Sequence, residues 1–131
     1  MISAITPPKP NEPQLVIASR SLQQAVVSGF KWDNEQQLWN KLDSEIDEFK
    51  KASSPDEKQD EYGDILHAMV NIANFHNVNP QNALQRANKK FITRFTQTEK
   101  LVQKDGRKMN DLNLGEILNY WKQAKQIVDN K

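Results

Sequence analysis

Apolar residues return every three or four positions along most of this chain, and no segment reads convincingly as a strand. Leu38, Leu42, Ile46 and Phe49 would line one face of a helix, and Ile65, Met69, Ile72 and Ala73 one face of the next. Punctuation at the ends of these stripes predicts about five helices. Asp33 with Gln36 forms a capping box ahead of a helix reaching about Ala52. Ser54-Pro55-Asp56-Glu57 opens another, with proline at its first position, that reaches about Asn77. Asn79-Pro80 starts a helix that runs past Val102 and stops near Gly106, and Asn113 with Glu116 caps one that continues to the C-terminus. A shorter helix is expected from Leu15 to Ser28, stopped by Gly29. Short polar links between long helices favour antiparallel neighbours, so the expected fold is an all-α helical bundle.

Residues 1–14 form a separate arm with four prolines, Pro7, Pro8, Pro10 and Pro13, and the helical domain is expected to occupy 15–131. The arm has no apolar run of signal-peptide type, and no stretch approaches the length of a membrane span. Apolar residues make up 37% of the 131 positions and the mean hydropathy is −0.82. Such a chain builds a modest core, and small helical domains of this kind often complete it by self-association. Eighteen Lys and Arg nearly cancel seventeen Asp and Glu, which leaves no global field to attract nucleic acid or a membrane. The absence of cysteine removes disulfides and thiolate metal sites, and two histidines make a zinc site improbable. The expectation is a soluble cytoplasmic protein whose electrostatic function comes from local clustering.

One cluster stands out. Glu45 and Glu48 lie three residues apart on one predicted helix, and Glu61 and Asp64 on the next. That spacing puts each pair on one side of its helix. At 100° per residue, Glu45 falls inside its helix's apolar stripe and Glu48 on the shoulder, and the second pair repeats the pattern. Packing the stripes together therefore brings four carboxylates toward one seam. Two carboxylates about 5 Å apart repel by about 3 kcal/mol at an effective dielectric of 20, so the set needs a counter-charge. Hard oxygen donors suit Mg²⁺, or Mn²⁺, shared with substrate phosphates. Single pairs of this kind usually face water, as Asp43 and Asp47 are expected to do on the opposite side of the stripe.

The motif Glu45-Ile-Asp-Glu48, followed after twelve residues by Glu61-Tyr-Gly-Asp64, is similar to the E-x-x-E…E-x-x-D signature of all-α nucleotide pyrophosphatases. Its surroundings resemble the MazG family: Gly29-Phe30-Lys31-Trp32-Asp33, then Lys41 to Phe49, Val70-Asn71-Ile72-Ala73, Ala87-Asn88-Lys89-Lys90-Phe91 with Arg94-Phe95 downstream, and Leu114-Gly-Glu-Ile with Trp121 and Lys125. The resemblance spans about residues 29–126 and is nearest to the C-terminal catalytic domain of two-domain MazG proteins. No second such repeat is present. The resemblance implies a dimer, or a tetramer, that hydrolyses nucleoside triphosphates to monophosphate and pyrophosphate with Mg²⁺. It implies metal ligation by Glu45, Glu48, Glu61 and Asp64, triphosphate binding by Lys90 and Arg94, and a nucleotide contact by Trp121 and Lys125. Lys41 matches a position that is basic in relatives, and Asn71 is a further candidate for contact with the nucleotide. Ser44, Asp60, His67 and Asn74 depart from the residues common in relatives, the last two leaving substrate preference open.

The chemistry implied is attack of water between the α and β phosphates, with two ions expected because four carboxylates exceed what one substrate-sharing Mg²⁺ takes. Glu45 and Glu48 both qualify as the proton acceptor. Each supporting residue also has a plainer reading. Without the resemblance, the basic run holding Lys90 and Arg94 reads as a solvated face, and Trp121 has core spacing with Ile117 and Leu118. Asn71 reads also as a buried polar group bonded within the bundle, Trp39 and Phe91 as core or interface residues, and His67 and His76 as incidental. Two other functions fit the same chain: a relative specialised for one nucleotide such as dUTP, dCTP or phosphoribosyl-ATP, and a nucleotide-binding module without turnover.

Overall fold

The computed structural model describes residues 2–130, and these contain five α-helices, one short 3₁₀ turn and no strand. The helices are α1 (Gln14–Val27), α2 (Glu35–Lys51), α3 (Pro55–Phe75), α4 (Pro80–Lys104) and α5 (Leu114–Asp129). The chain divides into two compact units, Met1–Ala83 and Leu84–Lys131. The all-α class and the number of helices are as the sequence predicts.

Helix ends follow from local chemistry. Ser54 Oγ accepts from the Glu57 N–H, Asn79 Oδ1 from the Asn82 N–H, and Asn113 with Glu116 makes the full reciprocal box. The start of α2 is one residue later than expected. Its cap is Asn34, whose Oδ1 accepts from the Gln37 N–H, while Gln37 Oε1 reaches back to the Asp33 N–H. Asp33 and Gln36 are therefore not the box; Asn34 makes the forward bond of one, and Gln37 bonds the N–H of the residue before the cap. Helices α1, α3 and α4 end in the same way, with Gly29, Asn77 and Gly106 in the left-handed region and paired 6→1 and 5→2 backbone bonds behind them.

In the first unit α3 is the central helix, packed against α2 and α1. Contacts run in opposite senses along α2 and α3: Glu35 pairs with His76 at one end, and Phe49 meets Tyr62 edge-on at 5.6 Å toward the other. The pair is thus antiparallel, as its three-residue link requires. Leu38, Ala68 and Val70 are buried there. Met69 is not: it is 53% exposed, and with Tyr62 and Leu66 it forms an uncovered apolar strip spaced four and three residues. The reason is angular, since buried Ala68 and Val70 lie on nearly opposite sides of α3 and Met69 projects between them.

The arm runs back beside α1. Gln24 exchanges two hydrogen bonds with Thr6, and Arg20 grips Glu12. In the second unit the α4–α5 link is tied by Arg107 to Glu116 and by Tyr120 Oη donating to Asp105 at 2.6 Å. Val102, Thr98, Tyr120 and Ala124 are its buried side chains.

Candidate functional site

The seam between α2 and α3 gathers three of the four signature carboxylates. Glu45, Glu61 and Asp64 each offer an oxygen, and these atoms lie within 4.8 Å of one another. Burial is graded across the group: Glu45 is 7% exposed, Glu61 half-buried and Asp64 exposed. The gradient follows helix geometry, because Glu45 falls next to buried Leu38 at the edge of the α2 stripe, while Asp64 lies farther round α3 from its apolar residues. Glu48, on the shoulder of α2, is exposed and outside this triad. Its charge still reaches the site. Burial, then the negative charges of Asp64, Glu45 and Glu48, push the Glu61 carboxyl above the ordinary range. Asp43 and Asp47 face solvent as expected.

Lys41, one turn before Glu45, places its Nζ 2.6 Å from Glu45 Oε1. The bond to Glu45 holds the ammonium above its ordinary range, and the charges of Asp64 and Glu61 add to the effect. The donor set is all oxygen, compact and negatively charged, with one ammonium to offset it. Such a set fits a hard divalent cation.

Seven residues from the carboxylates on both helices, a cavity of about 480 Å³ opens among α1, α3 and the segment before α2. Its lining includes Trp32, Leu38, Asn71, Phe75 and Gln23. Leu38 precedes Glu45 by seven residues and Asn71 follows Asp64 by seven, so cavity and triad lie about 10 Å apart along the same antiparallel pair. Asn74, beside it, is fully committed: its amide donates to Ser19 C=O at 3.1 Å and accepts from Ser19 Oγ at 2.9 Å. Asn71 makes no such bond among the described residues and stays half-buried at the cavity wall. Sequence reasoning gave no role to Trp32 or Gln23. Trp32 had a signal, an aromatic in a loop directly ahead of the first acidic helix. Gln23 had none.

The remaining candidates belong to the second unit. Arg94, with 16% of its side chain exposed, pairs with Asp129 at 2.7 Å. Trp121 is half-buried against Phe91, ring centres 5.7 Å apart, and Phe91 stacks on Phe95 at 5.8 Å. Lys125 is exposed and lines a shallow recess on α5 with Trp121 and Asp129. Lys90 is exposed on α4.

Comparison with known proteins gives a consistent kinship. No family model matches the chain. It is 37% identical over 116 residues to the nucleoside triphosphate pyrophosphohydrolase/pyrophosphatase MazG of Thermotoga maritima, a match that covers 88% of this chain and 46% of that protein. It is 32% identical over 119 residues to the nucleoside triphosphate pyrophosphohydrolase of Escherichia coli K12, covering 87% and 45%. A shorter match, 38% over 66 residues, joins half of the chain to 14% of the uncharacterized YabN of Bacillus subtilis. The chain spans about half the length of the first two relatives.

Proposed function

From the premise that this is a MazG-like chain, matching about half of each of those pyrophosphohydrolases, we propose that it hydrolyses nucleoside triphosphates to monophosphate and pyrophosphate with Mg²⁺. The observation that carries the reading is the Glu45–Glu61–Asp64 triad, an oxygen-donor group on two packed helices. Glu45, Glu61 and Asp64 hold the cation, with Glu48 available at the rim. When bound, Mg²⁺, or Mn²⁺ in its place, neutralises the phosphate chain and lowers the pKa of the attacking water.

The protein's own groups supply the rest. Water attacks the α phosphorus, the bond to the β-bridging oxygen breaks, and pyrophosphate leaves. Glu48 takes the water's proton, because it is exposed and outside the triad, whereas Glu45 is committed to the cation. The nucleoside end lies toward the Trp32–Asn71 cavity, whose distance of about 10 Å from the triad suits the reach from α phosphate to base. Asn71 then offers an amide to the base edge. In the second unit, Lys90, Arg94 and Lys125 remain candidates for binding phosphate by the resemblance alone, Arg94 with the fork geometry suited to it. Trp121 already packs on Phe91, so Trp32 is the preferred base platform.

Exposed apolar side chains, among them Tyr62, Leu66 and Met69, support a homodimer or larger assembly. No helix of the described residues is long and apolar enough to cross a membrane.

The test is pyrophosphate release across the ordinary and modified nucleoside triphosphates, with and without Mg²⁺. We expect turnover that needs Mg²⁺ and falls at least about 100-fold in Glu61→Gln, as when a positioned electrostatic group is lost. Trp32→Leu should raise KM more than Trp121→Leu. Nucleotide binding without pyrophosphate release in either Mg²⁺ or Mn²⁺ would refute the enzyme reading.

A further inference from the structure

One ammonium stands within the acidic seam. Lysine followed four residues later by glutamate is the weaker orientation of a helical ion pair, and on an open face it contributes little. The Lys41–Glu45 pair is not on an open face. Glu45 is buried, and the carboxylates of Glu61 and Asp64 converge on it from α3. Both of those charges act on Lys41, in addition to that of its direct partner Glu45. The one arginine of this unit, Arg20, is held by Glu12 of the arm. Nearly half of the Lys41 side chain is exposed, so its flexible stem has a route outward that breaks no packing.

We propose that Lys41 is the resident counter-ion of the triad: its ammonium neutralises Glu45 and its acidic neighbours in the metal-free protein, is displaced by an incoming divalent cation, and turns outward to the anionic substrate. The proposal rests on the reading of the triad as a divalent-cation site. An ammonium and a divalent cation repel each other and compete for the same carboxylate oxygens, so one leaves as the other enters. Lys41 thus opposes metal binding in the free protein and becomes available to phosphate once the metal is in place.

The experiment is Mn²⁺ titration of the full chain without nucleotide, by calorimetry or electron paramagnetic resonance, for wild type, Lys41→Met and Lys50→Met. Lys50 is nine residues on, half a revolution around α2, and its loss changes net charge equally. Lys41→Met should bind Mn²⁺ at least tenfold more tightly than wild type, and Lys50→Met within twofold. The metal-free melting temperature of Lys41→Met should fall, and Mn²⁺ should raise it by more than it raises that of wild type. Equal or weaker Mn²⁺ binding by Lys41→Met overturns the proposal, as does equal tightening by Lys50→Met. If wild type and both variants, folded by circular dichroism, bind no Mn²⁺, the metal site itself is wrong, a result distinct from the first. Should Lys41→Met fail to fold, Lys41→Gln carries the same expectations.

Discussion

Glu45 and Glu48 are chemically identical and three residues apart, yet one is buried against Lys41 and the other exposed. Sequence periodicity placed the first within the apolar stripe and the second on its shoulder, and the structure turns that difference of angle into two environments. What periodicity does not give is the side-chain reach that draws Glu61 and Asp64 to Glu45 while leaving Glu48 aside. The Asn71 and Trp32 cavity was equally illegible, because it is formed by three segments whose approach is a tertiary event. A prediction follows for Asp64, an exposed carboxylate whose charge helps to raise Glu61. Asp64→Asn removes a repulsion, so the metal-free melting temperature should stay the same or rise, while the Mg²⁺-induced increase should vanish. Calorimetric melts with and without Mg²⁺ check this, and equal loss of stability in both conditions would count against it.

At the scale of helices, ends were legible to within a residue or two because capping depends on local side chains. The exception is instructive. Asp33-Asn34 and Gln36-Gln37 supply two overlapping sets of capping residues, and only the backbone's turn into α2 selects Asn34. Asn34→Ala should therefore cost about 1 kcal/mol in urea unfolding, and Asp33→Ala clearly less. The arm's attachment was not legible, since a glutamate eight residues before an arginine has no fixed relation to it until α1 forms. Hydrogen bonding to Arg20 lowers the Glu12 pKa from the ordinary 4.5 to about 2. A depressed carboxyl stabilises the docked arm above pH 4.5, and that contribution is lost as pH falls through the window down to about 2. Amide NMR signals of residues 5–12 should lose their docked shifts across that window in wild type. In Glu12→Gln they should already be lost at pH 7, with no further acid transition.

For the molecule as a whole, the sequence shows which stripes are apolar but not which are covered within one chain. The Met69 strip looks identical to a core stripe in the sequence and is left uncovered in the structure. Sedimentation should find a dimer or larger species, and Met69→Glu should shift it toward monomer with helical circular dichroism retained; a monomeric wild type would remove this expectation. Charge is distributed in a related way. Net charge is near zero, and the arginines that pair do so within their own unit: Arg20 with Glu12, Arg94 with Asp129, Arg107 with Glu116. An anion claiming Arg94 would evict the Asp129 carboxylate instead of displacing water and loose counterions. Association at that point is an exchange of one intramolecular ion pair for an intermolecular one. Added salt weakens both sides of such an exchange, so affinity should depend on ionic strength less steeply than the number of phosphate contacts suggests.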